Sequence, residues 1–393
     1  MRVWIRVTAV CMLALVACGG SDDGSAEQPS DETSDEPGRA TALMITPTHD
    51  AQVVRGDDGM DHVEYGLLVV SVFDEPVTMS SVVVLDPDGE ELLRIEGDAL
   101  AATTQTLFDK KPSAVVPPSG AVGISVDVIV PPDSAPDRVT HQIAYTLEPD
   151  SKSGAMIDVP EIDGPEVAID DAAAIEIAPP LKGDRWVVTT ACCKPNVHRD
   201  LRIAVDGRRI ATPETFAVDW ARAEGDRLYD ADGSQNEQFY AYGQEVFAVA
   251  DGTVVFTQDG KPEGVPNQAT PAKDLSDFGG NQVMLQIEPN VYAWYAHLQP
   301  GSLVVEVGDE VEAGTPLAKL GNTGPSLGPH LHFGLLDVNS SVTGRSLPFV
   351  LDSYTLVGTV DFATSEGDHL VITGDPQEVT SAYPLYGSVS NFP

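Results

Sequence analysis

Short runs in which apolar and polar residues alternate, each closed by Gly, Pro or Asp, constrain this chain more than any other feature. "AVGISVDVIV" (121–130) alternates and is stopped by Pro131 and Pro132, and "THQIAYTLEP" (140–149) alternates again. "HVEYGLLVVSVF" (62–73) and "TMSSVVVL" (78–85) are dense in β-branched residues, and "DPDG" (86–89) is a turn ahead of "EELLRI". Successive side chains on a strand point to opposite faces, so a period of two punctuated by turn residues predicts β-sheet. Beyond the first twenty residues no long run keeps the 3.6-residue period of a helix. The expected fold class is all-β.

With 393 residues there is room for two or three domains. The runs between 42 and 180 predict a β-sandwich, immunoglobulin-like in kind. Residues 181–393 form a second β-rich domain, with "SYTLVGTV" and "HLVITG" near its end as extra strands. The start of the chain is a targeting segment. In "MRVWIRVTAVCMLALVACGG", Arg2 and Arg6 precede an apolar run too short to span a bilayer. "LVAC" at 15–18 resembles a bacterial lipobox, which implies a lipoprotein signal peptide at 1–17 and lipid on Cys18. An ordinary signal peptide cut nearby is the alternative. Gly19 and Gly20 do not look like an inner-membrane retention signal, so the expected place is the outer membrane, facing the periplasm, with the cell surface as the alternative. Residues 18–41 are acidic and rich in Ser, Gly and Pro, a composition that cannot bury enough surface to offset ordering entropy, and read as a disordered tether.

The 22 basic and 61 acidic residues leave a net charge of −39. Such a surface repels phosphate, which argues against nucleic acid and anionic lipid headgroups as partners. The four cysteines, Cys11, Cys18, Cys192 and Cys193, make no spaced disulfide framework. The adjacent pair is open to a vicinal disulfide, to two thiols or to simple apolar packing. Its spacing excludes a zinc knuckle.

Four of the eight histidines, His198, His297, His330 and His332, fall between 198 and 332. In "GPHLHFG" (328–334), residues i and i+2 of a strand share a face, so His330 and His332 project together. In "TFAVDWA" (215–221), Asp219 lies in an apolar strand, where a buried carboxylate needs a partner or a metal. His62 and His141 stand alone and are assigned to packing or surface roles.

Taken in order, "AVDW", "YGQEVFAVADGTVV", "YAHL", "VGDEVEAGTPLAKLGNTG" and "GPHLHFG" resemble the lysostaphin/LytM-type zinc peptidases that cleave peptidoglycan cross-bridges, over roughly 195–337. The resemblance implies an antiparallel sheet whose face forms a substrate groove. It implies one Zn²⁺ held by a His and an Asp of an H-x-x-x-D motif and by the second His of H-x-H. Carried over, Asp219 and His332 are zinc ligands, and His330 and His297 are the catalytic histidines beside the metal. Two imidazoles and a carboxylate leave one tetrahedral position open to water, the catalytic rather than the structural arrangement.

One position departs from the pattern: Thr215 stands where the first ligand His is expected. Either His198, in "CCKPNVHRDLRIAVDG", supplies the missing nitrogen from a strand turned back at "VDG" (205–207), or the site is degenerate. Relatives with a similar upstream "HR" and an "FA-x-DW" segment favour the first reading. Gly308, Gly314, Gly321, Gly324 and Gly328 are expected at turns of positive φ, and Asn281 in the groove. The implied function is a lipid-anchored zinc endopeptidase of the cell wall. The alternative is an inactive member that binds peptidoglycan or regulates a wall amidase; a third reading gives the activity to the first domain, as an adhesion module.

Overall fold

The computed structural model describes residues 38–393, apart from 108–109, 153, 158–159, 171, 269 and 366–368. The leader at 1–17, Cys18 and the tether up to residue 37 lie outside the described residues. Among the described residues the chain is β throughout, with one short α-helix, Gly97–Thr103, and three single-turn 3₁₀ helices. No helix among them is long and apolar enough to cross a membrane.

Two large sheets carry the fold. The first centres on an antiparallel pair, Asp61–Ser71 with Ala121–Val130, in register from Asp61 opposite Val130 to Val70 opposite Ala121. Its inward row Val63, Tyr65, Leu67, Val69 lies beside Val128, Val126, Ile124, Val122 on the same face, in one apolar core. The predicted alternation therefore appears as buried stripes. Val167–Asp170 pairs with Ala51–Arg55 on one side and with Arg138–Thr146 on the other, which links these strands in one hydrogen-bonded path. The second sheet opens at Ile175–Ile177, which lies parallel to Phe349–Val360, and has thirteen strands. Arg39–Pro393 is one compact unit with a separate core on each sheet.

At the centre of the second sheet the strand order runs Gly183–Thr190, Val218–Arg222, Leu331–Leu336, Val291–Ala296, Gln282–Glu288. The period of two decides what each face does. Val218 and Trp220, Leu331, Phe333 and Leu335, and Ala293 and Tyr295 point into the core. Phe333 packs edge-on against Tyr295 at 5.1 Å and Phe349 at 5.4 Å between ring centroids. Full burial of a ring of this kind contributes about 1.5–3 kcal/mol, which pins the register. The intervening residues Asp219, His332 and Trp294 are forced onto the opposite face, and a slip of one residue would exchange the two sets.

The Cys192–Cys193 pair is a disulfide, buried at the end of the Gly183–Thr190 strand. Gly308, Gly314 and Gly324 have positive φ, as expected, whereas Gly321 and Gly328 do not. Gly321 is required for a different reason: a Cβ there would lie 2.6 Å from the Gln299 nitrogen.

Candidate metal centre

Sheet register builds half of the centre. Asp219 sits directly opposite His332 across the Val218–Arg222 and Leu331–Leu336 pair. Directly opposite side chains on neighbouring strands are within contact range, and the His332 Nδ1 lies 2.9 Å from Asp219 Oδ1. His330 just precedes that strand and brings its Nε2 to 3.4 Å from the same oxygen. His297 follows the Val291–Ala296 strand at φ 62°, a left-handed conformation that costs strain in a non-glycine residue. Its ring stands 4.8 Å from that of His330 and 5.7 Å from that of His332.

His198 also reaches the centre. Its Nε2 lies 3.2 Å from Asp219 Oδ2, and its ring is 4.8 Å from that of His332. It does so from a turn at 197–200 and not from a strand paired with Val218–Arg222, whose neighbours are Gly183–Thr190 and Leu331–Leu336. The 205–207 turn instead closes a separate two-stranded hairpin, Ile203–Val205 with Arg209–Ala211. Thr215 is buried, and its hydroxyl donates to the Thr212 carbonyl at 3.3 Å.

Backbone carbonyls fix the tautomers. A carbonyl only accepts, so a ring nitrogen bonded to one must carry the proton. His198 Nδ1–H donates to the Ala217 carbonyl at 3.2 Å, His330 Nδ1–H to Gly328 at 2.8 Å and His297 Nδ1–H to Thr323 at 2.7 Å. In all three the Nε2 lone pair is left for the centre. Holding the far nitrogen in this way is how metal-ligating imidazoles are oriented. The Gly-rich "GNTG" stretch thus has a specific job. Thr323 lends its carbonyl to His297 while its hydroxyl donates to Leu298 O at 2.9 Å and accepts the Asn281 N–H at 2.8 Å. Asn281 is fully buried in this bracing, not in the groove.

His198, Asp219 and His332 offer ligand atoms that lie within 4.8 Å of one another. The separations of 3.2 and 2.9 Å from Asp219 come close to the edge of about 3.4 Å that a zinc tetrahedron with bonds near 2.0–2.1 Å requires. His332 Nε2 is buried with no hydrogen-bond partner, 3.8 Å from the buried Glu214 Oε1. A cation on Nδ1 would put the ring proton on Nε2, facing that carboxylate. Glu214 is a contributor that the sequence reading did not single out; its place directly before Thr215 was the available signal. The donor set and the orphaned nitrogen both fit Zn²⁺. His297, His330 and His332 form a second such group, and a third joins His62 and Asp127 of the first sheet with Cys193 from the loop after Gly183–Thr190. There both ring nitrogens already meet carboxylates, Asp127 at 3.0 Å and Asp58 at 3.3 Å, and the sulfur is in the disulfide.

Protein charges shape the histidines differently. Burial works against a charge on His198, but the Asp219 carboxylate outweighs it and lifts the ring to about 9. His330 is likewise raised, burial being overcome by Asp219. His297 is pushed well below the usual value, by burial and by the charges of His330 and His332. Asp219 is held well below the usual carboxylate range: burial opposes ionisation, and His198 and His330 prevail. The cleft above is about 400 Å³, with Phe239, Phe278, Trp294 and Leu327 among its walls and no Lys or Arg.

Residues 237–343 match the model of Peptidase family M23. Among solved structures, the catalytic domain of the antimicrobial peptidase lysostaphin from Staphylococcus simulans is 28% identical, covering 32% of this chain and 86% of its own, with a TM-score of 0.20. An M23 metalloprotease from the deep sea, pseudoalterin, is 15% identical over 55% of this chain and 99% of its own, with a TM-score of 0.26. A zinc-containing peptidase from Vibrio cholerae is 15% identical over 77% of this chain and 83% of its own, with a TM-score of 0.26. The matched segment holds His297, His330 and His332, while His198 and Asp219 lie upstream of it. Over residues 237–343 the chain is similar to Peptidase family M23.

Proposed function

We propose that the chain is a zinc-dependent endopeptidase that hydrolyses peptide bonds of peptidoglycan cross-links. The meeting of His198 with Asp219 and His332 carries this reading, because it supplies two imidazole nitrogens and one carboxylate oxygen although Thr215 occupies the family's usual ligand position. Zinc held by these three residues supplies Lewis acidity toward a peptide carbonyl and toward water.

The remaining steps belong to the chain's own groups. His330 keeps its Nδ1 proton on Gly328, so its Nε2 can take a proton from an attacking water and pass it to the leaving amine. His297, neutral and turned by Thr323 so that Nε2 faces the cleft, is placed beside it to receive or relay that proton. The apolar walls hold an extended peptide against the sheet and exclude bulk water. Lipid on Cys18 and the acidic tether would keep the enzyme at the envelope, within reach of the wall. Thr215 favours the second reading, a member without activity that binds peptidoglycan or a wall amidase.

Metal content and digestion of purified sacculi separate the two. The expected result is one zinc per chain and release of muropeptides with new amino termini, lost in His330→Ala. A chain that binds sacculi, holds no zinc and releases nothing would establish the second reading instead.

A further inference from the structure

His198 has no strand to hold it. The turn at 197–200 is fixed by its neighbours, and their anchors lie on the other sheet. Arg199 is buried, and its Nε–H donates to Glu64 Oε1 at 2.8 Å while its Nη2 donates to the Val126 carbonyl at 2.9 Å. Its Nη1 donates to the Cys193 carbonyl, which ties the two ends of the loop together. Asp200 accepts from Gln105 Nε2 at 2.8 Å, and Arg202 donates to Ser125 Oγ at 3.0 Å. Glu64, Ser125 and Val126 all belong to the central strand pair of the first sheet. Inside the loop, Asn196 Oδ1 accepts the backbone N–H of His198 at 2.9 Å and of Arg199 at 3.2 Å.

We propose that the first sheet is a working part of the metal centre, with Glu64 as the positioning residue that sets His198 through Arg199. The inference rests on the zinc reading above. Its physical basis is the fork geometry of the guanidinium. A planar fork held by a carboxylate on one side and by two carbonyls on the others has one orientation, and the residue before it inherits that orientation. A ligand displaced from the usual H-x-x-x-D spacing loses the rigidity of a short local motif. In this chain the Glu64–Arg199 pair, buried and remote in sequence, replaces it. Groups outside the ligand set that orient it typically change metal affinity 10- to 100-fold when removed.

The test is zinc affinity of the purified chain, by competition with a chromophoric chelator, beside the thermal midpoint of the zinc-free form. Glu64→Gln keeps the shape and removes the charge; it should weaken zinc about 10- to 100-fold. Tyr65→Phe is the control. It removes only the hydroxyl that bonds His141 in the same sheet at 2.7 Å and leaves the ring beside Glu64 and Val126 in place, so it should lower the midpoint and leave zinc affinity at the wild-type value. Folded Glu64→Gln with wild-type zinc affinity would overturn the proposal, as would an equal loss of affinity in Tyr65→Phe. If Glu64→Gln does not fold, Arg199→Lys decides: loss of the fork should weaken zinc, and unchanged affinity would refute the clamp. A wild-type chain that takes no zinc would instead remove the function proposed above.

Discussion

Each sheet buries a histidine among carboxylates, and the two sites differ in what their nitrogens have left to give. In the first sheet, His62 spends Nδ1 on Asp127 and Nε2 on Asp58, so the cluster is a closed ion pair. In the second, His198, His330 and His297 spend Nδ1 on backbone carbonyls and keep Nε2 for the centre. Burial is similar in both. Chemistry needs a nitrogen that is oriented but uncommitted, and a carbonyl on the far side of the ring achieves this where a second carboxylate does not.

The comparison breaks most sharply at His332. His332→Ala removes one of the three proposed zinc ligands and should abolish stoichiometric zinc binding, with peptidase activity falling by about 10³-fold or more; His62→Ala should retain one zinc. Metal analysis of the two variants side by side checks this, and zinc lost from both would erase the distinction between the sheets.

Next come the two histidines proposed to move protons. His330→Ala and His297→Ala should keep zinc and lower kcat by about 10²- to 10⁴-fold, the usual worth of general acid–base catalysis. Retained zinc with unchanged kcat in either variant would remove that residue from the reaction.

A smaller effect tests the closed pair. Burial opposes a charge on His62, but Asp127 and Asp58 lift it to about 9. The pair's stabilisation is complete below the unfolded value near 6.5 and is lost as pH rises through about 9. Its size is on the order of 2 kcal/mol. Thermal midpoints between pH 6 and 9.5 should therefore fall more steeply in the wild-type chain than in His62→Gln. Parallel curves would show that the pair contributes nothing.

Thr215→Val should give the smallest change. It deletes a hydroxyl that donates to Thr212, costing about 1 kcal/mol of stability, and should leave zinc affinity within about twofold. A larger loss of affinity would make Thr215 part of the centre.

Local pattern exposed much of this protein before any coordinates. Period-two alternation foretells the strands, and "LHF" on a strand with apolar neighbours places His332 on the opposite face from Phe333, because the pleat leaves no other choice. Asp219 stands out as a carboxylate inside an apolar strand, whereas His297 is assigned only through the family resemblance of "YAHL". Asn281 was misplaced in the groove because a polar residue near a glycine pair looks the same whether it braces a loop or meets substrate.

Alternation, turn chemistry and the identity of the candidate ligands are matters of neighbouring residues, and they stand in the chain as written. The tertiary structure alone settles that His198 arrives from a turn, that Arg199 beside it is gripped by Glu64 from another sheet, and that Glu214 faces His332. Contacts between segments far apart in the chain leave no periodic trace, since a buried fork and its carboxylate need only meet in space, and only the packed fold specifies where they meet.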